Sequence, residues 1–316
     1  MKPLFFFLAT ICCMACNNSK KENDLVSPPK QAMISGPSYE AISLLGDTLY
    51  ASSPSAELLE QANEKKEAYL QNPDAIDNII WHGRFTAYTG NYNEAIAIYS
   101  KGLEKYPNET RLLRHRGHRY ITLRKFDKAI ADLEKAAKLI EGTKDKVEPD
   151  GMPNDKNIPV STLHGNIYYH LGLAYYLKHD LENALGAFKK ALNTSNNPDN
   201  VVSTSHWLYM IHRRMGNERA AEAVVAPITD TMEVIENEAY HRACLFYKGV
   251  LELNEINNDP KAPGASRSAL SYAVGNWLYY TGNAAQAEKV FEIMMEQDDW
   301  ASFGYIAAES DLAKLY

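Results

Sequence analysis

The sequence predicts an all-α protein, a solenoid of stacked helical hairpins, and three observations predict it. First, five segments repeat one spacing: a small or aromatic residue, a turn pair seven or eight residues on, an alanine at plus twelve and a large apolar residue four further. They are Gly83/Gly90-Asn91/Ala95/Tyr99, Gly117/Arg124-Lys125/Ala129/Leu133, Gly172/His179-Asp180/Ala184/Phe188, Tyr209/Gly216-Asn217/Ala221/Val225 and Gly275/Gly282-Asn283/Ala287/Phe291. Second, Ala95 to Ala129 is 34 residues, a period that marks stacked repeats. Third, apolar residues on either side of each turn pair recur three or four apart, the pattern of one helix face.

The first unit shows why the spacing works. Ile79, Trp81, Phe85 and Tyr88 form an apolar helical stripe, Gly90-Asn91 is a helix-stopping pair, and a second stripe runs through Tyr92, Ala95, Ile96, Tyr99 and Leu103 to Pro107. Gly83 and Ala95 carry almost no side chain, so two antiparallel helices can approach there while Tyr99 fills the space towards the next pair. Such a hairpin cannot bury its face alone and must stack on neighbours.

On these residues the chain resembles the tetratricopeptide repeat family over roughly 76 to 301. The second unit carries Leu113, Gly117, Tyr120, Ala129, Leu133 and Ala136; the third, the closest in pattern, carries Leu171, Gly172, Tyr175, Ala184, Phe188 and Ala191. Departures are Arg124 and His179 at the turn glycine, Tyr209 at a small position, and Ile228 and Met294 where Ala136 and Ala191 stand. The resemblance implies a right-handed superhelix with capping helices, with repeats near 76–109, 110–143, 165–198, 202–235 and 268–301 in a solenoid over 55–316.

The start of the chain, MKPLFFFLATICCMAC, reads as a secretory signal over 1–15, too short to span a membrane as a helix. Its end resembles the bacterial lipoprotein signal, which implies lipidation of Cys16 and placement in the cell envelope, exported and anchored to a bacterial membrane. Residues 16–54 then form a tether and N-terminal segment: polar and proline-bearing to about Pro37, followed by the apolar patch YEAISLLGDTLYAS, expected against the solenoid. Ser55 is the expected N-cap of a helix covering the first repeat, and FGYIAAESDLAKLY is expected to shield the last hairpin. With Cys12 and Cys13 in the signal and Cys16 lipidated, Cys244 alone remains, a buried hydrophobe without a disulfide partner.

Two interruptions break the period. The insert 142–164 stretches the interval from Ala129 to Ala184 well beyond one period and contains Asp145, Glu148, Asp150 and Asp155 without the alternation of a calcium loop. The interval from Ala221 to Ala287 is longer still, with an extra helix expected near 238–254 that the five-repeat reading does not place.

The net charge of −7, spread without a long run, argues against nucleic acid. No glycine-rich phosphate loop, metalloprotease helix or nucleophile elbow is present, and the histidines, His115, His118, His164 and His170 included, lack a paired ligand spacing. The expectation is therefore a scaffold that is not an enzyme, with no cofactor and no metal. The resemblance implies that the first helix of each hairpin lines a concave groove. Its outward positions here include Arg84, Tyr88, Arg111, Arg114, His118, Tyr169, Tyr176, His206, Arg213, Tyr272, Asn276 and Tyr279. Arginine and tyrosine dominate binding hot spots, so the expected partner is another protein, offering an acidic or carboxylate-bearing segment between the second and fourth repeats. The alternative is a small-molecule-binding protein or metal-dependent enzyme using the groove and the acidic insert, which a closed polar pocket would favour over an open groove.

Overall fold

The computed structural model describes residues 39–51, 53–149, 152–256 and 264–315. The expected signal peptide, Cys16 and most of the tether lie outside them. The hairpins are α2 (Ile76–Tyr88) with α3 (Tyr92–Lys105), α4 (Thr110–Thr122) with α5 (Phe126–Leu139), α6 (Leu163–Leu177) with α7 (Leu181–Thr194), α8 (Pro198–Arg214) with α9 (Glu218–Val225), and α12 (Gly264–Tyr280) with α13 (Ala284–Met295). The helix α1 (Ala56–Gln71) precedes them, α10 (Glu238–Tyr247) and the single turn α11 (Leu253–Ile256) stand between α9 and α12, and α14 (Phe303–Leu315) follows. A two-stranded antiparallel sheet, β1 (Tyr39–Ile42) and β2 (Thr48–Tyr50), precedes α1. The chain is thus an all-α, tetratricopeptide-type solenoid carrying one small β-hairpin.

The repeated residues meet as their spacing predicts. A Cβ built on Gly83 would stand 2.3 Å from the Tyr99 ring, and one on Gly172 would stand 2.7 Å from Phe188, so nothing larger than glycine fits without displacing the partner helix. Ala95, Ala129, Ala184, Ala221 and Ala287 are all buried. In the fourth hairpin the volumes trade places: the large Tyr209 faces a hairpin whose plus-sixteen residue is only Val225, and its ring stacks on Tyr247 at 4.2 Å.

The extra helix resolves the long gap. Every first helix ends in the same two-bond turn. The amide of the turn residue donates three residues back, as in Gly90 to Ala87 and Arg124 to Ile121, and the next amide donates five back, as in Asn91 to Thr86 and Lys125 to Tyr120. The turn residue has positive φ each time: Gly90, Arg124, His179, Gly216, Gly249 and Gly282. Gly249 and Val250 make the same two bonds, to Phe246 and Leu245, after α10. Gly249 stands midway between Gly216 and Gly282, at an interval close to that between Gly90 and Arg124. The five-hairpin expectation is corrected accordingly: α10 is the first helix of a sixth unit, with α11 after its turn, and the interval from Ala221 to Ala287 is two periods rather than one interrupted period.

Second helices pack on the next first helix, α3 on α4, α5 on α6 and α7 on α8. The first helices also touch one another, α2 with α4, α4 with α6, α6 with α8, and α8 with α10 and α12, so they line one continuous face. At the N-terminal end α1 covers α2, and Ser55 caps α1 by accepting from Leu58 N. The β-hairpin lies on the turns of the first two hairpins, with Ala41 and Leu49 against Leu123, and Glu40 accepting from the Asn93 amide at 2.8 Å.

The C-terminal helix departs from expectation. Besides shielding α12 and α13 it touches α6. Ser310 Oγ donates to the Leu177 carbonyl at 2.7 Å, and Phe303 lies against the His118 and His170 rings. It therefore covers the first-helix face from the second hairpin to the last.

Candidate functional site: the first-helix face

Three zones make up this face. The stretch under α14 is held by buried carboxylates. Glu309, fully buried, receives Nε and Nη2 of Arg124 and the backbone amide of Leu44. Asp311 receives both terminal nitrogens of Arg214 and, at 2.9 Å, the hydroxyl of Tyr272, while Arg214 Nε donates to Asn276 at 2.6 Å. Tyr176 and Tyr272 share a hydroxyl contact at 2.7 Å in the same network. His179 approaches Ser310 and Asp311. Desolvated charges are tolerable only when paired and hydrogen-bonded, and here both are.

This zone corrects part of the expected groove. Tyr176, Tyr272 and Asn276 are buried beneath α14 and face no open channel, because the chain's own carboxylates occupy the stretch expected for a partner's. His206 is also buried, bonded to Tyr247 and stacked on it, so it does not line a groove either. Arg111 sits at the hairpin edge, joining Asp77 of α2 and Glu109, and Arg213 lies over Tyr280 with Glu218 at 3.0 Å. Tyr279 is exposed, with the Arg214 guanidinium over its ring.

The first two hairpins and the insert form a basic zone. Glu148 turns inwards from the insert, where it meets Arg114 Nη2 at 3.2 Å, His115 at 3.9 Å and the Asn166 amide. Arg84 donates to the Pro149 carbonyl and to Tyr88 Oη, and stacks over Trp81. Arg119 lies over Tyr92 at 5.5 Å and makes no ion pair among the described residues. Arg84 and Arg119 both act electrostatically on Arg114. Burial, together with these guanidinium groups, holds His115 and His118 well below the usual histidine range.

Between the two zones lies a polar cavity, bordered by Tyr169 and His170 of α6, the N-terminal half of α8, Tyr240 of α10 and Phe303 of α14. Tyr169 Oη accepts from Trp207 Nε1 at 2.7 Å. His170 Nδ1 lies 2.6 Å from the Asn166 carbonyl, to which it can only donate, so Nε2 is left as an acceptor. Burial, then Arg114, keeps that ring neutral.

Of the predicted residues, the structure gathers Arg84, Tyr88 and Arg114 in the basic zone, His118 and Tyr169 beside the cavity, and Tyr176, Tyr272 and Asn276 under α14. Sequence reasoning missed Arg124, His179, Arg214, Glu148, Glu309 and Asp311. A signal existed for two of them: Arg124 and His179 were the residues that broke the turn-glycine rule.

Residues 113–143 and 165–198 match the family model described as Tetratricopeptide repeat. These are the second and third hairpins. A human protein, tetratricopeptide repeat protein 12, is 30% identical over 117 residues, 37% of this chain and 15% of that protein's length. Among solved structures, a tetratricopeptide repeat protein from Parabacteroides merdae covers 79% of this chain and 92% of its own at 15% identity, with a TM-score of 0.47. YrrB, described as a TPR protein with an unusual peptide-binding site, covers 81% and 100% at 17% identity, with a TM-score of 0.42.

Proposed function

We propose that the chain is an exported protein-interaction scaffold, anchored through lipid on Cys16, that holds an acidic segment of another protein on the basic zone of its first-helix face. The observation that carries this reading is the charge imbalance there. Arg84 and Arg119 both act on Arg114, and among the described residues the carboxylate paired with this group is Glu148, in a chain that is acidic as a whole. Guanidinium groups bind carboxylates bidentately, and Tyr88 and Trp81 add apolar area beside them. The docking stretch is read as the first hairpin and the Arg114–Arg119 part of α4; Glu309 and Asp311 of α14 take the turn of the second hairpin and the fourth hairpin's Arg214.

The test is partner capture from the native envelope by the full chain and by an Arg84→Ala/Arg119→Ala variant. These two are chosen because Arg114→Ala would strand the buried Glu148. The variant is expected to keep the parent's circular dichroism and lose most of the captured partner, and parental capture is expected to fall as salt rises. Equal capture by a folded variant would move the docking surface elsewhere. The anchor is tested separately: Cys16→Ala is expected to shift the protein from the membrane to the soluble fraction and remove the acyl mass, since more than one chain holds stably where one does not. A wild-type protein without lipid and wholly soluble would overturn the anchoring.

A further inference from the structure

The cavity beside Phe303 has a volume of about 240 Å³, below the roughly 300–1,000 Å³ of sites for drug-sized ligands and suited to a single small ring. Its polar groups, hydroxyls and side-chain amides with one histidine, both accept and donate. Asn166 gives one amide N–H to Glu148, and Asn200 gives one to the Val160 carbonyl at 2.9 Å, so each retains its amide oxygen and a second N–H. His170 presents Nε2 as a lone pair for the reason given above. Ser203 donates to the Asn200 carbonyl at 3.3 Å and so keeps its oxygen as an acceptor. A ligand that satisfies this set must both donate and accept hydrogen bonds, as hydroxyl groups do.

Charge then narrows the class. A cationic donor such as an amine would enter near Arg114 and Arg119, the two guanidinium groups that act on His170 of the cavity wall. An anion would meet the amide oxygens and the Glu236 carboxylate on the cavity wall. Hydroxyl groups on a neutral carbon ring avoid both penalties, and the rings of Tyr169, Tyr240 and Phe303 offer faces for its C–H surface. We propose that this cavity binds one small neutral polyhydroxy molecule, of the sugar or cyclitol class.

The purified full chain is to be titrated calorimetrically with glucose, galactose and myo-inositol, and with glucosamine and gluconate as cationic and anionic counterparts. Trp207 emission serves as a second readout, because its N–H bonds Tyr169 at the cavity wall. The expected result is a dissociation constant of about 1 mM or below for at least one neutral probe, with both charged counterparts weaker by about tenfold. Ser203→Leu, which fills the cavity, is expected to abolish that binding, and Ser203→Ala to retain it. Absence of binding by all three neutral probes, or equal or tighter binding of glucosamine or gluconate, would overturn the proposal. The charge comparison is made on the wild-type chain and decides the matter even where Ser203→Leu fails to fold. No partner protein is present, so the outcome is independent of the capture experiment.

Discussion

At the scale of single residues, Arg124 and His179 explain each other. Both occupy the left-handed turn position, with φ of 58° and 60°, where the other turns use glycine. A non-glycine residue there costs on the order of 1 kcal/mol or more, and the return is visible in the side chains: Arg124 grips Glu309, and His179 reaches Ser310 and Asp311. Glu309→Ala is therefore expected to leave a desolvated guanidinium and cost about 3–5 kcal/mol in urea unfolding. Arg124→Gly is expected to be destabilising as well, despite a more favourable backbone, because it strands the carboxylate instead. A Glu309→Ala midpoint equal to the parent's would show that this pair contributes nothing. Cys244 belongs to the same scale: it is buried, its thiol bonds the Val202 carbonyl, and burial pushes its pKa up, leaving it unreactive.

At the scale of elements, the hairpin register rests on contacts between glycine and a large residue. Ala184→Leu would push a branched side chain into the fully buried contact between α6 and α7, beside Gly172 and Phe188. The expected cost is about 1–3 kcal/mol, read as a lowered thermal midpoint; a parental midpoint would contradict the register. Five hairpins were legible because their signature is local, with a small or aromatic residue, turn pair, alanine and large apolar residue all close together in sequence. The sixth was illegible because the alanine and the large apolar residue of the pattern are missing after its turn, so only Gly249 remains of it. The site was less legible than the fold. Whether a tyrosine on a first helix is open or buried depends on what lies across it. Tyr176 and Tyr272 are covered by α14, a helix distant in sequence from both of them, which no periodicity within α6 or α12 could report.

At the scale of the whole molecule, buried histidines set a pH limit. Burial lowers His206 to about 3, and burial with nearby guanidinium groups lowers His115, His118 and His170 well below their ordinary value. The unfolded chain, with histidines near pKa 6.5, binds protons that the folded chain refuses, so stability is complete above about pH 6.5 and is lost as pH falls towards the folded values. Each such histidine contributes up to about 1.4 kcal/mol per pH unit in that window. The urea midpoint is expected to drop between about pH 7 and pH 5, and His206→Asn to flatten the slope; a level profile in the parent would contradict the assignment.

An open stack of repeats can fray from either end, since each unit answers only to its neighbours. Here Glu309 binds Arg124 across 185 positions and the Leu44 amide across 265. Those bonds tie α14 back to the second hairpin and to the segment before α1, so that helix cannot fray on its own. Unfolding is therefore expected as one transition by every probe, with refolding slowed by the need to close so distant a contact. Because α14 follows the hairpins in the chain, Arg124 of the second and Arg214 of the fourth wait without their carboxylates during synthesis until that helix arrives.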